Sequence, residues 1–207
     1  MKITLSRQGL AQDGGSGFDQ PKSAPHQKLP IRIAFFGRLD PTKGIHILIQ
    51  AVWKVPNLPI VLDIYGIEQD RSDEPYVHRL KKLAADDPRI TFYASLPADQ
   101  VVIRLQNYDL LAVPSQWLET GPLVVLEAFA AEIPVLGSNL GGIAELVQHE
   151  VNGLLVEPHS SVEAWCKALQ RISEDPRLLS KLRPGIRSPR RMETVAGEMK
   201  ALYDELV

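Results

Sequence analysis

Two stretches of the 207-residue sequence combine charged side chains with the glycines or proline that let a backbone come close to a ligand. The first reads Gly37-Arg38-Leu39-Asp40-Pro41-Thr42-Lys43-Gly44. It follows a short apolar run and precedes a stretch of helical spacing, so two cations fall between a strand end and a helix start. Glycine permits close backbone approach, and the N–H groups of a helix start favour anions. Arginine grips phosphate with a fork of donors, and lysine adds a mobile point charge. A diphosphate therefore suits Arg38 and Lys43, with Gly37 closing the strand before them. The order of residues is neither the phosphate loop Gly-x4-Gly-Lys-Ser/Thr nor the dinucleotide fingerprint Gly-x-Gly-x-x-Gly. By itself the turn also fits a solvated loop between strand and helix.

The second stretch reads Glu119-Thr120-Gly121-Pro122-Leu123-Val124-Val125-Leu126-Glu127-Ala128. Proline is tolerated in the first turn of a helix, where its missing N–H has no partner to lose. Gly121 and Pro122 thus open a helix whose first amides, at Leu123 and Val124, face outward for a phosphate or sugar oxygen. Glu119 before the helix and Glu127 within it can each accept hydrogen bonds from hydroxyls, and paired acceptors suit ribose or a hexose. The plainer alternative makes Glu119 a surface loop residue and Glu127 a solvated one. Against it, Glu127 stands between Leu126 and Ala128 in an otherwise apolar helix, where an ionised carboxylate is costly without a partner. A ligand-facing Glu127 is the better reading.

The elements that would position these residues alternate along the chain. Strand-like runs cover residues 31–36, 60–65, 90–93, 109–114, 134–137 and 153–156. Helical spacing covers 45–53, 76–85, 98–107, 122–131, 143–147 and 162–173. Strands that are apolar throughout and separated by helices describe a parallel sheet covered on both faces. The expected fold is α/β, a doubly wound, Rossmann-like parallel sheet, with its ligand at the carboxyl ends of the strands.

Residues 11–30 mix six glycines and prolines with polar residues, and residues 1–30 are expected to be a partly flexible arm or linker. That start suggests a fragment. Beyond residue 176, Arg177, Lys181, Arg183, Arg187, Arg190 and Arg191 follow one another without a carboxylate. They suit a solvated segment, or contact with an anionic membrane or an absent domain. A last helix is expected over 193–207. The apolar share of 44% and charged share of 23% are those of a globular protein, and a net charge of −2 gives no reason to expect nucleic acid. The lone Cys166 cannot form an internal disulfide and reads as a buried small side chain in a reducing compartment. No apolar run is long enough to span a bilayer, and the N-terminus lacks a signal peptide's apolar stretch. The expected location is cytoplasmic, with peripheral contact at the inner membrane face left open.

Taken together, Gly37-Arg38…Lys43-Gly44, Val113-Pro114-Ser115…Glu119-x7-Glu127-Ala128 and Pro134-Val135…Gly141-Gly142…Glu145…Asn152-Gly153-Leu154-Leu155-Val156 resemble the C-terminal domain of family 4 retaining glycosyltransferases. The resemblance covers roughly residues 31–175 and implies one Rossmann-like half of a two-domain GT-B fold. It implies that residues 176–207 are closing helices that pack back towards an N-terminal domain. It places Arg38 and Lys43 on the donor diphosphate, Glu119 near the donor sugar and Glu127 on the ribose hydroxyls. The amides near Leu123 and Val124 would reach phosphate or sugar. A nucleobase pocket is implied after Gly66 and along residues 93–96. Arg38, Lys43 and Glu119 would be the groups closest to the chemistry. The implied reaction is hexosyl transfer from a UDP- or GDP-sugar with retention, with no metal or other cofactor, to a sugar, lipid or polysaccharide acceptor.

Departures from the pattern are Gly121-Pro122 where Phe-Gly is usual, Ala94 where glycine is usual, and Glu132 where glycine would cap a helix. Gly121 thus stands at the donor-sugar contact, and its change of context obscures the sugar. Glu132 implies a helix end capped in another way. His46 lies inside a helix and is read as structural rather than as an acid–base. Besides a donor domain unable to turn over alone, two further readings stand: a non-catalytic module completing an enzyme with another chain, and a sugar-nucleotide epimerase of similar fold.

Overall fold

The computed structural model of the chain describes residues 10, 29–68, 76–84, 87–175 and 177–204. The expected arm lies outside the described residues except for Leu10, Leu29 and Pro30, as do the last positions expected of the helices ending at 85 and 207. Among the described residues six strands are present: β1 Ile31–Leu39, β2 Ile60–Glu68, β3 Ile90–Ala94, β4 Leu110–Val113, β5 Val135–Ser138 and β6 Gly153–Val156. They form one parallel sheet in the order β3-β2-β1-β4-β5-β6. The helices are α1 Ile45–Lys54, α2 Tyr76–Ala84, α3 Ala98–Leu105, α4 Leu123–Ala130, α5 Gly141–Leu146, α6 Val162–Glu174, α7 Leu178–Leu182 and α8 Met192–Asp204. This is the expected Rossmann-like arrangement.

The central strands β4 and β5 are buried on both faces because they are apolar on both, while the edge strand β3 is more open. One core unites Ile33, Leu62 and Ile64 with Leu48 of α1, Leu80 of α2 and the fully buried Trp165 of α6. The other packs Ala34, Leu111 and Val135 against Val102 of α3, Val125 of α4 and Ile143 of α5. Cys166 is buried beside Ala51, as its apolar spacing predicts. Ser161 caps α6, its side chain accepting from the Ala164 amide at 3.3 Å.

Three sequence expectations are corrected. First, β1 and β2 run past their expected ends, with Gly37, Arg38 and Leu39 paired to Gly66, Ile67 and Glu68. Gly37 and Arg38 are thus strand residues, and the turn begins at Asp40. Leu39 fills the space over Gly66, where a Cβ would stand 2.3 Å from its Cγ.

Second, the end of α4 is capped in the manner glycine would allow. Glu132 adopts φ 59°, the Ile133 amide donates to the Ala128 carbonyl at 2.8 Å, and the Glu132 amide donates to Phe129 at 3.1 Å. Those two bonds define the left-handed cap, here held by a residue with a Cβ. Packing of Ile133 fixes the conformation in spite of the side chain.

Third, the cationic run after residue 176 is not a uniform solvated face. Leu178, Leu179 and Leu182 of α7 join the first core. Arg183 donates to the Glu132 carbonyl at 3.1 Å, Lys181 pairs with Asp175 at 3.1 Å and Arg190 with Glu198 at 2.6 Å. By contrast, α8 buries no residue. Its first turn meets Leu10, whose carbonyl accepts from the Met192 amide at 2.8 Å. No helix among the described residues is long and apolar enough to cross a membrane.

Candidate functional site

The strand order reverses between β1 and β4, the point in such a sheet where ligands bind outside the carboxyl ends of the strands. The two stretches singled out by their chemistry are the end of β1 with the turn after it, and the connection from β4 into α4. After β1, Asp40 caps a 3₁₀ turn, Pro41–Lys43, through the Thr42 amide at 2.9 Å. Gly44 then takes φ 68°, and a Cβ there would lie 1.8 Å from the Pro114 carbonyl oxygen. Only glycine can adopt that conformation so close to the β4 connection. The Gln116 amide closes the contact by donating to the Thr42 carbonyl at 2.6 Å.

This contact brings Lys43 to Glu119 across 76 positions of sequence. The ammonium donates to Glu119 Oε1 at 2.5 Å, and the Ser115 hydroxyl donates to the same oxygen at 2.8 Å. Both ends of the ion pair are largely sheltered, with side-chain exposures of 24% and 20%. Arg38 is more open, its Nε lying 3.4 Å from Asp40 Oδ2. That oxygen is buried and receives no hydrogen bond, so the contact is an ion pair without hydrogen-bond alignment.

Glu119 is also held by its backbone. The Gly142 amide at the start of α5 donates to the Glu119 carbonyl at 2.6 Å, and a Cβ on Gly142 would sit 2.6 Å from that oxygen. Gly121 follows in the same connection, half-buried beside the buried Pro122. Pro122 is the residue before α4, and its carbonyl takes the first bond, from Val125 at 3.0 Å. The Leu123 and Val124 amides have no protein acceptor among the described residues. Glu127, one turn further, is half-buried with no hydrogen-bond or ion-pair partner among the described residues. Burial raises its carboxyl above the ordinary range, because the charged form loses solvation.

The end of β1 and the connections after β1 and β4 therefore offer a guanidinium, a partly sheltered ammonium, two amides without a protein acceptor and two carboxylates. Cations with amides stabilise an anion, and the carboxylates accept from hydroxyls. The expected base-pocket positions after Gly66 at 69–75 lie outside the described residues. Along β3, Tyr93 is exposed and stacks on Tyr65 at 4.8 Å, which stacks on Phe36 at 4.5 Å. His46 belongs to the scaffold: its Nδ1 lies 2.6 Å from the Tyr76 hydroxyl, linking α1 to α2. Burial lowers the histidine's pKa and pushes Tyr76 up to about 12, so the contact joins a neutral ring to a neutral phenol.

Sequence reasoning included Ser115 and Gly142 in its motifs but gave neither a role of its own. The signal for Gly142 is the glycine pair at a helix start; Ser115 has none beyond lying four positions before Glu119. Asn152 serves the fold, clamping the turn between α5 and β6 through the Gln148 amide at 2.8 Å and the Leu146 carbonyl at 3.2 Å.

Comparison with known proteins adds four similarities. The model of the family described as "Glycosyl transferases group 1" matches residues 18–188. YtcC of Bacillus subtilis (strain 168) is 34% identical over 155 residues, covering 72% of this chain and 38% of that protein. The D-inositol 3-phosphate glycosyltransferase of Corynebacterium glutamicum (strain R) is 30% identical over 186 residues, covering 84% of this chain and 43% of that protein. Among solved structures, Anabaena HepE in complex with UDP and glucose superposes with a TM-score of 0.72 at 25% identity, over 84% of this chain and 48% of that one. The chain thus spans less than half the length of these relatives.

Proposed function

Since the chain belongs to the glycosyl transferases group 1 family, we propose that it is the donor-binding half of a retaining hexosyltransferase using a nucleoside-diphosphate sugar. The observation that carries this reading is the sheltered Lys43–Glu119 pair, which joins the connections after β1 and β4 at the switch point of the sheet. Arg38 and Lys43 take the diphosphate and stabilise the charge that grows on it as the glycosyl bond breaks. That role requires no metal or other cofactor. Glu119 accepts from a donor-sugar hydroxyl and Glu127 from the ribose. The acceptor hydroxyl attacks the face that the nucleoside diphosphate leaves, so the anomeric configuration is retained.

UDP in the HepE complex favours a UDP-sugar as the first donor to try, with GDP- and ADP-sugars as alternatives. The acceptor, a sugar, lipid or polysaccharide, needs a wall opposite this site, and oriented contact is worth several powers of ten in rate. We propose that further sequence supplies that wall, as the greater length of the relatives suggests, and that residues 1–207 bind donor without transferring it. We place the reaction in the cytoplasm, leaving peripheral contact at the inner membrane face open. A second reading, an assembly module that completes an enzyme with another chain, is favoured by one observation: α8 has no buried residue.

Calorimetric titration with UDP, GDP and ADP tests the proposal. One nucleotide should bind, Arg38→Ala should weaken it about tenfold or more, and EDTA should change nothing. No binding of any nucleotide, with Arg38→Ala indistinguishable from the parent, would sink it. Co-sedimentation with a second chain that restores transfer would support the module reading instead.

A further inference from the structure

Ser115 is among the most deeply buried polar side chains described, 1% exposed, and the donor-site roles given above leave it unassigned. Its hydroxyl has three acceptors in reach: the Thr42 carbonyl at 3.2 Å, the Trp117 carbonyl at 3.3 Å and Glu119 Oε1 at 2.8 Å. A hydroxyl has one proton to donate. The carboxylate is the shortest contact and the strongest acceptor, and the Thr42 carbonyl already accepts from the Gln116 amide at 2.6 Å. The hydroxyl therefore donates to Glu119, and the serine itself is closed to solvent.

Glu119 Oε1 thus carries two donors, one fixed and one mobile. Ser115 is fixed at the end of β4; Lys43 sits on a long, flexible stem at the end of its 3₁₀ turn. An arriving diphosphate competes with Glu119 for Lys43. When the ammonium turns to the phosphate, Oε1 keeps only the Ser115 hydroxyl. We propose that Ser115 is a positioning residue: it holds the Glu119 carboxylate in place when the donor draws Lys43 away, so that Glu119 meets the sugar in a set orientation. The inference rests on the donor-binding reading. It adds that the resting Lys43–Glu119 pair is a latch opened by diphosphate.

The test uses residues 1–207 as the parent, Ser115→Ala, Ser115→Thr and Glu119→Gln, each first checked for a parent-like melting curve. Without nucleotide, the Lys43 side-chain ¹⁵N resonance, assigned with Lys43→Arg, should shift or broaden in Ser115→Ala and return towards the parent position in Ser115→Thr. By calorimetry, Ser115→Ala should bind UDP within about twofold of the parent but UDP-glucose about tenfold more weakly, a loss of one hydrogen bond to a charged group. Glu119→Gln removes the competing charge and should bind UDP several-fold more tightly.

An unmoved Lys43 resonance in Ser115→Ala overturns the positioning role, as do equal losses for UDP and UDP-glucose. Weaker UDP binding by Glu119→Gln overturns the latch. If the parent binds no nucleotide, the donor reading fails, and the Lys43 resonance alone decides whether Ser115 sets the pair.

Discussion

At the scale of single residues, Glu127 carries a pH dependence whose sign can be worked out. Burial raises its carboxyl above the ordinary 4.5. The fold therefore favours the protonated acid; that stability is full below the unfolded-state value and is lost as pH rises through the raised one. Glu127→Gln should flatten this loss in melting curves recorded from about pH 4 upward. Ribose hydroxyls that donate to the carboxylate favour the ionised form, so nucleotide binding should release protons in the same window, read from titrations in buffers of different ionisation heat. The same variant should weaken UDP about tenfold and leave inorganic pyrophosphate unchanged; equal losses for both would remove Glu127 from the ribose. Arg38, Lys43, Glu119 and Glu127 were singled out as candidates because charged residues beside glycines and at helix starts stand out locally. Ser115 was not, because its acceptor is fixed by a lysine 76 positions from Glu119.

At the scale of elements, the apolar runs marked all six strands, but not where they end. Pairing of Arg38 with Ile67 and Leu39 with Glu68 extends β1 and β2 through glycines that read as turns. The α7 leucines were hidden among arginines after Pro176, although Leu178, Leu179 and Leu182 are buried. Glu132 shows tertiary packing prevailing over local preference: it holds φ 59° at the end of α4, a conformation glycine adopts without a steric penalty. Glu132→Gly should stabilise the chain by about 1 kcal/mol, an estimate for relief of left-handed strain less glycine's added unfolded-state entropy. Urea unfolding measures it; a destabilised variant would mean that the Glu132 side chain makes a contact of its own worth more than the strain.

At the scale of the whole molecule, alternation of strands and helices predicts a parallel doubly wound sheet but not its strand order, since the pairing of β1 with β4 depends on residues 77 positions apart, as between Asp109 and Arg32. Near the other end of the chain, α8 buries nothing. A chain ending at Arg191 should therefore melt within about 2 °C of residues 1–207, little apolar burial being lost; a large drop in a thermal scan would show α8 to be part of the folding unit. The contact of Gly44 with the Pro114 carbonyl has a consequence for anyone who would re-tool this site. The two connections that form the site touch backbone to backbone, so neither can be replaced alone. A graft of the segment after β1 from a relative must carry the segment after β4 with it, and altered donor choice is best sought in side chains that leave this seam untouched.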